Sequence, residues 1–346
     1  MSHASIVRLA ERSPSMSAAE LAANLVPPPH FAHASFDNYR PDPDQPSQQA
    51  AVEALREFAT GGASTSGGGG LFGRKNKKAV EPLRPGVYLD GGFGVGKTHL
   101  LAALWHSVRG PKHFGTFIEY TALVGALGYQ DTVALLRPSK LICIDEFELD
   151  DPGDTMLMSR LLGELVAGGT RLAATSNTPP NALGEGRFAA SDFLREINAL
   201  ADRFTVLRID GQDYRRREAG GSAESVPADE VEARLASLGA TVSLDDFDAV
   251  LSLLSRVHPS RYVKLLEGLQ GLGLNNVHEL TNQTDALRLV AFIDRAYDAQ
   301  IPIVASGLPL DQVFGGGMLN GGYRKKYLRA MSRMVALRGL ADSQHS

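Results

Sequence analysis

The chain is predicted to fold as an α/β protein, a parallel sheet with flanking helices followed by a smaller C-terminal mixed α/β or helical region. Three observations lead there. Short apolar runs at 86–90 and 141–144, and the run from Thr170 to Asn177 that ends in polar residues, have the length of sheet strands. Segments with apolar residues at helical spacing lie between them, such as Leu100, Leu101, Leu104 and Val108. The octapeptide from Gly91 to Thr98, GGFGVGKT, joins the first of these strands to the first of these helices. Strand and helix alternate from Gly86 to about Ile209, which is the pattern of a parallel sheet covered on both faces.

With 346 residues, of which 43% are hydrophobic, the chain has material for a substantial core, and its length fits two domains. Residues 1–80 read as an N-terminal segment with a helix over Ser47 to Ala59 and a flexible Gly/Ser-rich loop from Gly61 to Gly70. Residues 81–218 form the phosphate-loop core, and residues 219–346 a lid-like region beyond the punctuation Ala219-Gly220-Gly221-Ser222. The basic group Arg74-Lys75-Asn76-Lys77-Lys78 has two readings, a contact for phosphates or an acidic partner and, more simply, a solvated charge run.

A formal net charge of −4 supplies no global positive field to draw the molecule onto nucleic acid or anionic lipid. Cys143 is the only cysteine and sits between Ile142 and Ile144, where it acts as a small buried hydrophobe and has no intramolecular disulfide partner. No apolar run approaches the roughly 18 residues that span a bilayer, and the start of the chain lacks a signal-peptide pattern, so a cytoplasmic protein with no stable membrane insertion is expected. No Cys and His cluster has zinc-ligand spacing, and His99 reads as a helix-surface residue.

The octapeptide fits G-x-x-x-x-G-K-[ST] without a mismatch. Gly91, Gly92, Phe93, Gly94, Val95, Gly96, Lys97 and Thr98 are therefore the expected nucleotide-binding residues. Gly91, Gly94 and Gly96 permit torsions and close approaches that a Cβ blocks, so consecutive N–H groups turn inward around phosphate oxygens. Lys97 is expected on the β and γ phosphates. The Thr98 hydroxyl, in the first turn of a helix whose dipole favours the anion, is expected on Mg²⁺.

Leu141-Ile142-Cys143-Ile144 ends in Asp145-Glu146, the Walker B arrangement of a buried strand followed by two carboxylates. Asp145 is expected to hold Mg²⁺ beside Thr98, and Glu146 to orient the water that attacks the γ phosphate. An Asp-Glu pair favours hydrolysis over transfer to a second substrate, because a kinase substrate brings its own nucleophile. The run from Thr170 to Asn177 is a strand ending in polar residues, and ligands of open parallel sheets gather at such ends. Asn177 there resembles the sensor-1 residue of the AAA+ superfamily; the plainer alternative is that Ser176-Asn177-Thr178-Pro179-Pro180 simply makes a turn. Arg203, between a helix end and the apolar run Phe204 to Leu207, resembles an arginine finger acting in a neighbouring subunit. Arg187 and Arg195 are the next candidates, and a surface salt bridge is the competing account.

These residues together resemble the ZapE family, P-loop ATPases associated with bacterial cell division, with mitochondrial relatives. The resemblance rests on Leu71-Phe72-Gly73-Arg74-Lys75, on GGFGVGKT, on Cys143-Ile144-Asp145-Glu146-Phe147 and on Asp151, Asp154, Met156 and Leu157. It continues through Ala174-Thr175-Ser176-Asn177 with Pro179-Pro180, Asp213-Tyr214-Arg215, Phe292-Ile293-Asp294 with Tyr297, Ile303-Val304-Ala305-Ser306, and Arg329 with Ser332-Arg333. It implies an AAA+-like P-loop NTPase fold, with ATP and Mg²⁺ as cofactors. The catalytic residues it implies are Lys97, Glu146 and Asn177, and the metal residues are Thr98 and Asp145; the finger reading of Arg203, which needs a subunit boundary, adds the expectation of a homo-oligomer. It further implies action on a protein partner, for bacterial members the tubulin-like FtsZ. The stretch between Tyr214 and Tyr262 departs from the family pattern, being short and rich in Ser, Ala and Asp.

The C-terminal region also reads from its own residues. Asp245 to Val257 and Asp285 to Tyr297 are amphipathic helices, and Ile301 to Ser306 is a buried strand with Pro302 at its start. Arg329 and Arg333 share a helix face, either as a second sensor of phosphate or, more simply, as a solvent-facing basic patch. Two rivals to an ATPase that remodels or regulates a protein stay open at this point. One is a nucleic-acid-associated ATPase resembling a helicase loader, which the acidic balance disfavours; the other is a nucleotide-dependent switch that barely hydrolyses.

Overall fold

The computed structural model describes residues 5–61, 84–92, 94–149, 152–179, 183, 198, 199, 201–211 and 223–345. The chain divides into two compact units, one made of Leu21–Pro27 and Phe31–Gln212, the other of Met1–Glu20, Pro28–His30 and Asp213–Ser346. It begins with a short strand, β1 (Ser5–Val7), and a helix, α1 (Ala18–Ala23).

Helix α2 (Pro46–Ala59) starts with proline, whose preset φ and missing N–H suit a first helical position, and buries Val52, Leu55 and Phe58. The rest of the first unit alternates as predicted: β2 (Gly86–Gly91), α3 (Lys97–Ser107), β3 (Lys112–Thr116), α4 (Phe117–Leu127), α5 (Tyr129–Leu136), β4 (Leu141–Asp145), α6 (Pro152–Ala167), β5 (Arg171–Ser176) and β6 (Phe204–Ile209). Every residue of β2 and β4 is buried, as near-continuous apolar strands covered on both faces must be. Chain reversal from β3 into α4 is immediate because Thr116 and Glu119 form a capping box, the Glu119 carboxylate accepting from the Thr116 N–H at 2.6 Å.

The five strands are parallel in the order β3-β4-β5-β2-β6. From β2 the chain crosses to the far edge, returns through β4 and β5, and then adds β6 on the other side of β2. Strand order thus reverses next to β2, and the crevice outside the carboxyl ends is where such a sheet takes its ligand. Leu55, Leu89, Leu100, Leu101 and Leu104 pack with Cys143 in the core beneath, each leucine contributing about 1.5–3 kcal/mol by leaving water. Burial pushes the Cys143 thiol up, so it stays protonated and apolar in character.

The second unit is a parallel sheet with order β1-β7-β8-β9. Its elements are α7 (Ala228–Ala236), β7 (Thr241–Asp246), α8 (Phe247–Arg256), α9 (Tyr262–Leu266), β8 (Gly271–Val277), α10 (Gln283–Asp298), β9 (Ile303–Gly307) and α11 (Arg324–His345). Side chains alternate along β9: Ile303 and Ala305 join a cluster with Phe247, Leu254, Tyr262 and Phe292, while Val304 joins Val231, Leu235 and Val242. At the other edge Ser5 pairs with Thr241, and the buried Asp245 carboxylate accepts from the N–H groups of Leu9 at 2.8 Å and Ala10 at 3.0 Å.

Two expectations shift here for local reasons. The helix expected from Asp245 starts at Phe247, because Asp245 and Asp246 end β7 and the Asp246 side chain caps the helix by accepting from the Asp248 N–H. The solvent-facing reading of Arg329 and Arg333 is overturned: they are 5% and 8% exposed and close on one carboxylate, Asp294 of α10. Arg329 Nη2 lies 2.6 Å from Asp294 Oδ2, Arg333 pairs with Oδ1, and the Arg333 guanidinium also sits over the Tyr297 ring. Burial alone would raise the Asp294 carboxyl, but the two guanidinium groups outweigh it and bring it down to about 2.

Candidate active site

The loop after β2 is shaped by backbone that only glycine tolerates. A Cβ on Gly91 would stand 2.3 Å from the Ile209 carbonyl oxygen of the neighbouring strand. Gly94 and Gly96 have φ of 63° and 85°, and a Cβ on Gly96 would meet the Tyr39 ring at 2.5 Å. Tyr39 also donates its hydroxyl to the Val95 carbonyl at 2.8 Å, and its burial raises its pKa to about 12. His99 is half-buried rather than on the helix surface, its ring 5.6 Å from that of Tyr39 and its Nε2 3.0 Å from the Ser35 carbonyl oxygen. Residues upstream of the core therefore brace the loop from outside. Phe93 lies outside the described residues.

Lys97 opens α3 and is 8% exposed. Its ammonium donates to the Gly91 carbonyl at 3.0 Å, to the Gly92 carbonyl, and to Asn177 Oδ1 at 2.8 Å. One residue on, the Thr98 hydroxyl is 3.1 Å and 3.2 Å from the two oxygens of Asp145 at the end of β4. Because β5 lies between β2 and β4, Asn177 just beyond its end is adjacent to the phosphate loop on one side and to the acidic pair on the other. Lys97, Thr98, Asp145 and Asn177 thus meet at the carboxyl ends of three adjacent strands.

Glu146 follows with φ of 54°, a left-handed conformation that a non-glycine residue adopts at a cost of about 1–3 kcal/mol. The kink takes Glu146 out of the strand's two-residue alternation, which would otherwise turn neighbouring carboxylates to opposite faces. Its N–H is held by the Thr175 hydroxyl at 3.0 Å, and the next N–H, of Phe147, donates to the Thr175 carbonyl at 2.7 Å.

The hydroxyl of Thr98 and the carboxylate of Asp145 are hard oxygen donors side by side, the donor set Mg²⁺ takes when phosphates and waters complete its shell. Among the described residues no group of three or more His, Cys, Asp or Glu is gathered for a metal.

Arg203 is not brought to this cluster. Its carbonyl accepts from the Gly86 N–H at 3.0 Å, which puts it at the opposite end of β2 from Gly91, a strand length of roughly 17 Å away. Its guanidinium lies beside α6, where a Cβ on Gly163 would be 3.3 Å from Nη2. Arg187 and Arg195 lie outside the described residues. The roles of two residues escaped the sequence reading, Tyr39 in its proline-rich segment and Thr175 at the polar end of its strand. Neither residue type at those positions signals a ligand; only the strand order and the packing of the upstream segment show what they touch.

A family model described as AFG1-like ATPase matches residues 15–224 and 219–343. The cell division protein ZapE of Escherichia coli strain K12 is 28% identical over 311 residues, covering 77% of this chain and 81% of its own. Lactation elevated protein 1 homolog B of Danio rerio is 26% identical over 168 residues, 42% of this chain and 33% of that protein. Among solved structures, AMPPCP-bound DnaA from Aquifex aeolicus overlaps at a TM-score of 0.40 and 13% identity, covering 86% of this chain and 79% of that one, too loosely to carry its ligand across. No described helix is long and apolar enough to cross a membrane. With the family model spanning nearly its whole length over a phosphate-loop sheet, the chain belongs to the AFG1-like ATPase family.

Proposed function

We propose that this ATPase hydrolyses ATP to ADP and phosphate at the cluster of Lys97, Thr98, Asp145, Glu146 and Asn177, and uses the cycle to remodel or regulate a protein partner. The observation that carries the reading is the meeting of the Lys97 ammonium with Asn177 and of the Thr98 hydroxyl with Asp145 beside one glycine loop.

When a triphosphate enters, Lys97 exchanges the carbonyls of Gly91 and Gly92 for phosphate oxygens, stronger partners for an ammonium because they carry charge. The N–H groups of the loop and of the first turn of α3 face the same anion. Thr98 and Asp145 would hold Mg²⁺, which would supply charge neutralisation on the phosphates. Glu146 accepts a hydrogen bond from the attacking water and orients it in line with the γ phosphorus, and Asn177 donates its amide N–H to the γ phosphate as charge shifts. Hydrolysis requires only water as second substrate, which suits an acid beside the metal residues.

A role in cell division is supported by the name of the Escherichia coli relative, and FtsZ is the partner implied by the resemblance to the ZapE family. A homo-oligomer is supported by the position of Arg203, away from its own chain's cluster, where a finger would serve a neighbour.

Phosphate release by purified protein with ATP or GTP, alone, with FtsZ polymers and with single-stranded DNA, tests the reading. ATP turnover stimulated by the polymers is the expected result. Turnover stimulated only by DNA would move the protein to the helicase-loader class, and binding without turnover would make it a switch. Glu146→Gln should retain ATP and lose most hydrolysis; a variant as fast as the parent would remove Glu146 from its role.

A further inference from the structure

The ladder between β4 and β5 runs from Leu141 opposite Arg171 to Ile144 opposite Ala174. Beyond that pair regular strand pairing stops, yet the next three residues of the acidic turn all stay tied to one residue of β5. The Thr175 hydroxyl donates to Asp145 Oδ1 and accepts from the Glu146 N–H at 3.0 Å, while the Thr175 carbonyl accepts from the Phe147 N–H at 2.7 Å. Thr175 is itself 2% exposed, and on its other side it stands opposite Leu89 of β2, two residues before the loop begins at Gly91. One hydroxyl therefore spends both its donor and an acceptor lone pair on consecutive residues that the hydrolysis reading assigns to the metal and to water.

We propose that Thr175 is the positioning residue of the acidic pair: its hydroxyl sets the rotamer of the Asp145 carboxylate and holds the left-handed turn that presents Glu146. Thr175 touches no reacting atom and acts through its two neighbours. The inference rests on the hydrolysis reading above and adds to it the residue that keeps the two carboxylates in register. The Thr98 hydroxyl approaches Asp145 from α3 and the Thr175 hydroxyl from β5, so the carboxylate is held from two elements. Glu146 is the first residue beyond β4, and its backbone N–H is held by the Thr175 hydroxyl at 3.0 Å.

The test uses the full chain with Thr175→Val, which keeps shape and removes the hydroxyl, and Thr175→Ser, which keeps the hydroxyl and removes a methyl. Three quantities are read: kcat and KM for MgATP, the affinity for a fluorescent ATP analogue with Mg²⁺ and with EDTA, and the thermal midpoint. Thr175→Val is expected to lower kcat by about 10- to 100-fold, the scale of misplacing a catalytic group, while KM stays within about threefold. The strengthening of nucleotide binding by Mg²⁺ should shrink as well, a readout that needs no turnover. Thr175→Ser should restore both.

A folded Thr175→Val with the parent's kcat and Mg²⁺ response would overturn the proposal, as would Thr175→Ser no better than Thr175→Val. Should valine not fold, Thr175→Ser against Thr175→Ala, which differ by the hydroxyl alone, decides the matter by the same two readouts. Glu146→Gln measured alongside separates the two readings. If that variant hydrolyses as the parent does, the water-orienting role fails, while the Mg²⁺ response of Thr175→Val still reports whether the hydroxyl holds Asp145.

Discussion

The Lys97 ammonium donates to Asn177 Oδ1 at 2.8 Å, linking the phosphate loop to the end of β5. The same ammonium also donates to the carbonyls of Gly91 and Gly92. In the proposed cycle phosphate would displace these oxygens, and the displacement would free the Asn177 amide to turn toward the incoming group. On that reading, binding at the loop would be coupled to β5, whose Thr175 also contacts Asp145.

Removing the ammonium isolates the first half of that exchange. Lys97→Ala should weaken ATP binding by about 1.5–3 kcal/mol, the worth of a charged hydrogen bond, or roughly 10- to 100-fold in Kd. Titration calorimetry with MgATP checks it, and an unchanged Kd would contradict the assignment of the loop.

Asn177 should separate binding from chemistry. Asn177→Ala is expected to lower kcat by on the order of 10², as loss of one preorganised donor does, while Kd for ATP changes less than in Lys97→Ala. Comparison of single-turnover rates with equilibrium binding reads the two effects apart. Equal losses in both would reduce Asn177 to a binding contact.

Arg203 sits at the far end of β2 from the loop, so a catalytic effect must come from another subunit's site. Arg203→Ala should lower turnover by about 10³ or more if it serves as a finger. Mixing Arg203→Ala chains with Glu146→Gln chains should then recover part of the activity at boundaries that join an intact arginine to an intact glutamate. Verified mixed oligomers with no recovery would reject the arrangement.

Asp294 carries a stability prediction. Its loss strands two buried guanidinium groups, and Asp294→Ala should cost about 3–5 kcal/mol in urea unfolding. The pH dependence has a definite sign. A carboxyl brought down to about 2 in the folded chain contributes its full stabilisation above the unfolded value near 4 and loses it as pH falls from about 4 toward 2. The parent should therefore steepen in its loss of stability across that window, and Asp294→Asn should be flatter there.

What the sequence disclosed and what it withheld divide along locality. GGFGVGKT was legible because phosphate binding constrains eight consecutive residues, and Asp145-Glu146 because a buried run that stops at two carboxylates is a local pattern. The helices α2, α3 and α10 followed from apolar spacing within their own spans. Thr175 was silent because its importance depends on β5 standing between β2 and β4, a matter of strand order. Arg329 and Arg333 were read as a shared face correctly, but the face meets Asp294, 35 residues before Arg329, and spacing within α11 says nothing of that. Strand β1 went unread for the same reason: three residues have no periodicity, and their partners start at Thr241.

That last pairing bears on how the molecule is made. Strand β1 leaves the ribosome more than two hundred residues ahead of its partner β7, with Leu9 and Asp245 separated by 236 positions. At about 5–20 residues per second, β1 waits roughly 10–50 seconds with its edge unpaired. All five strands of the nucleotide-binding sheet are synthesised in that interval, so this sheet is free to fold first, leaving the second sheet to close on a strand translated long before its partners.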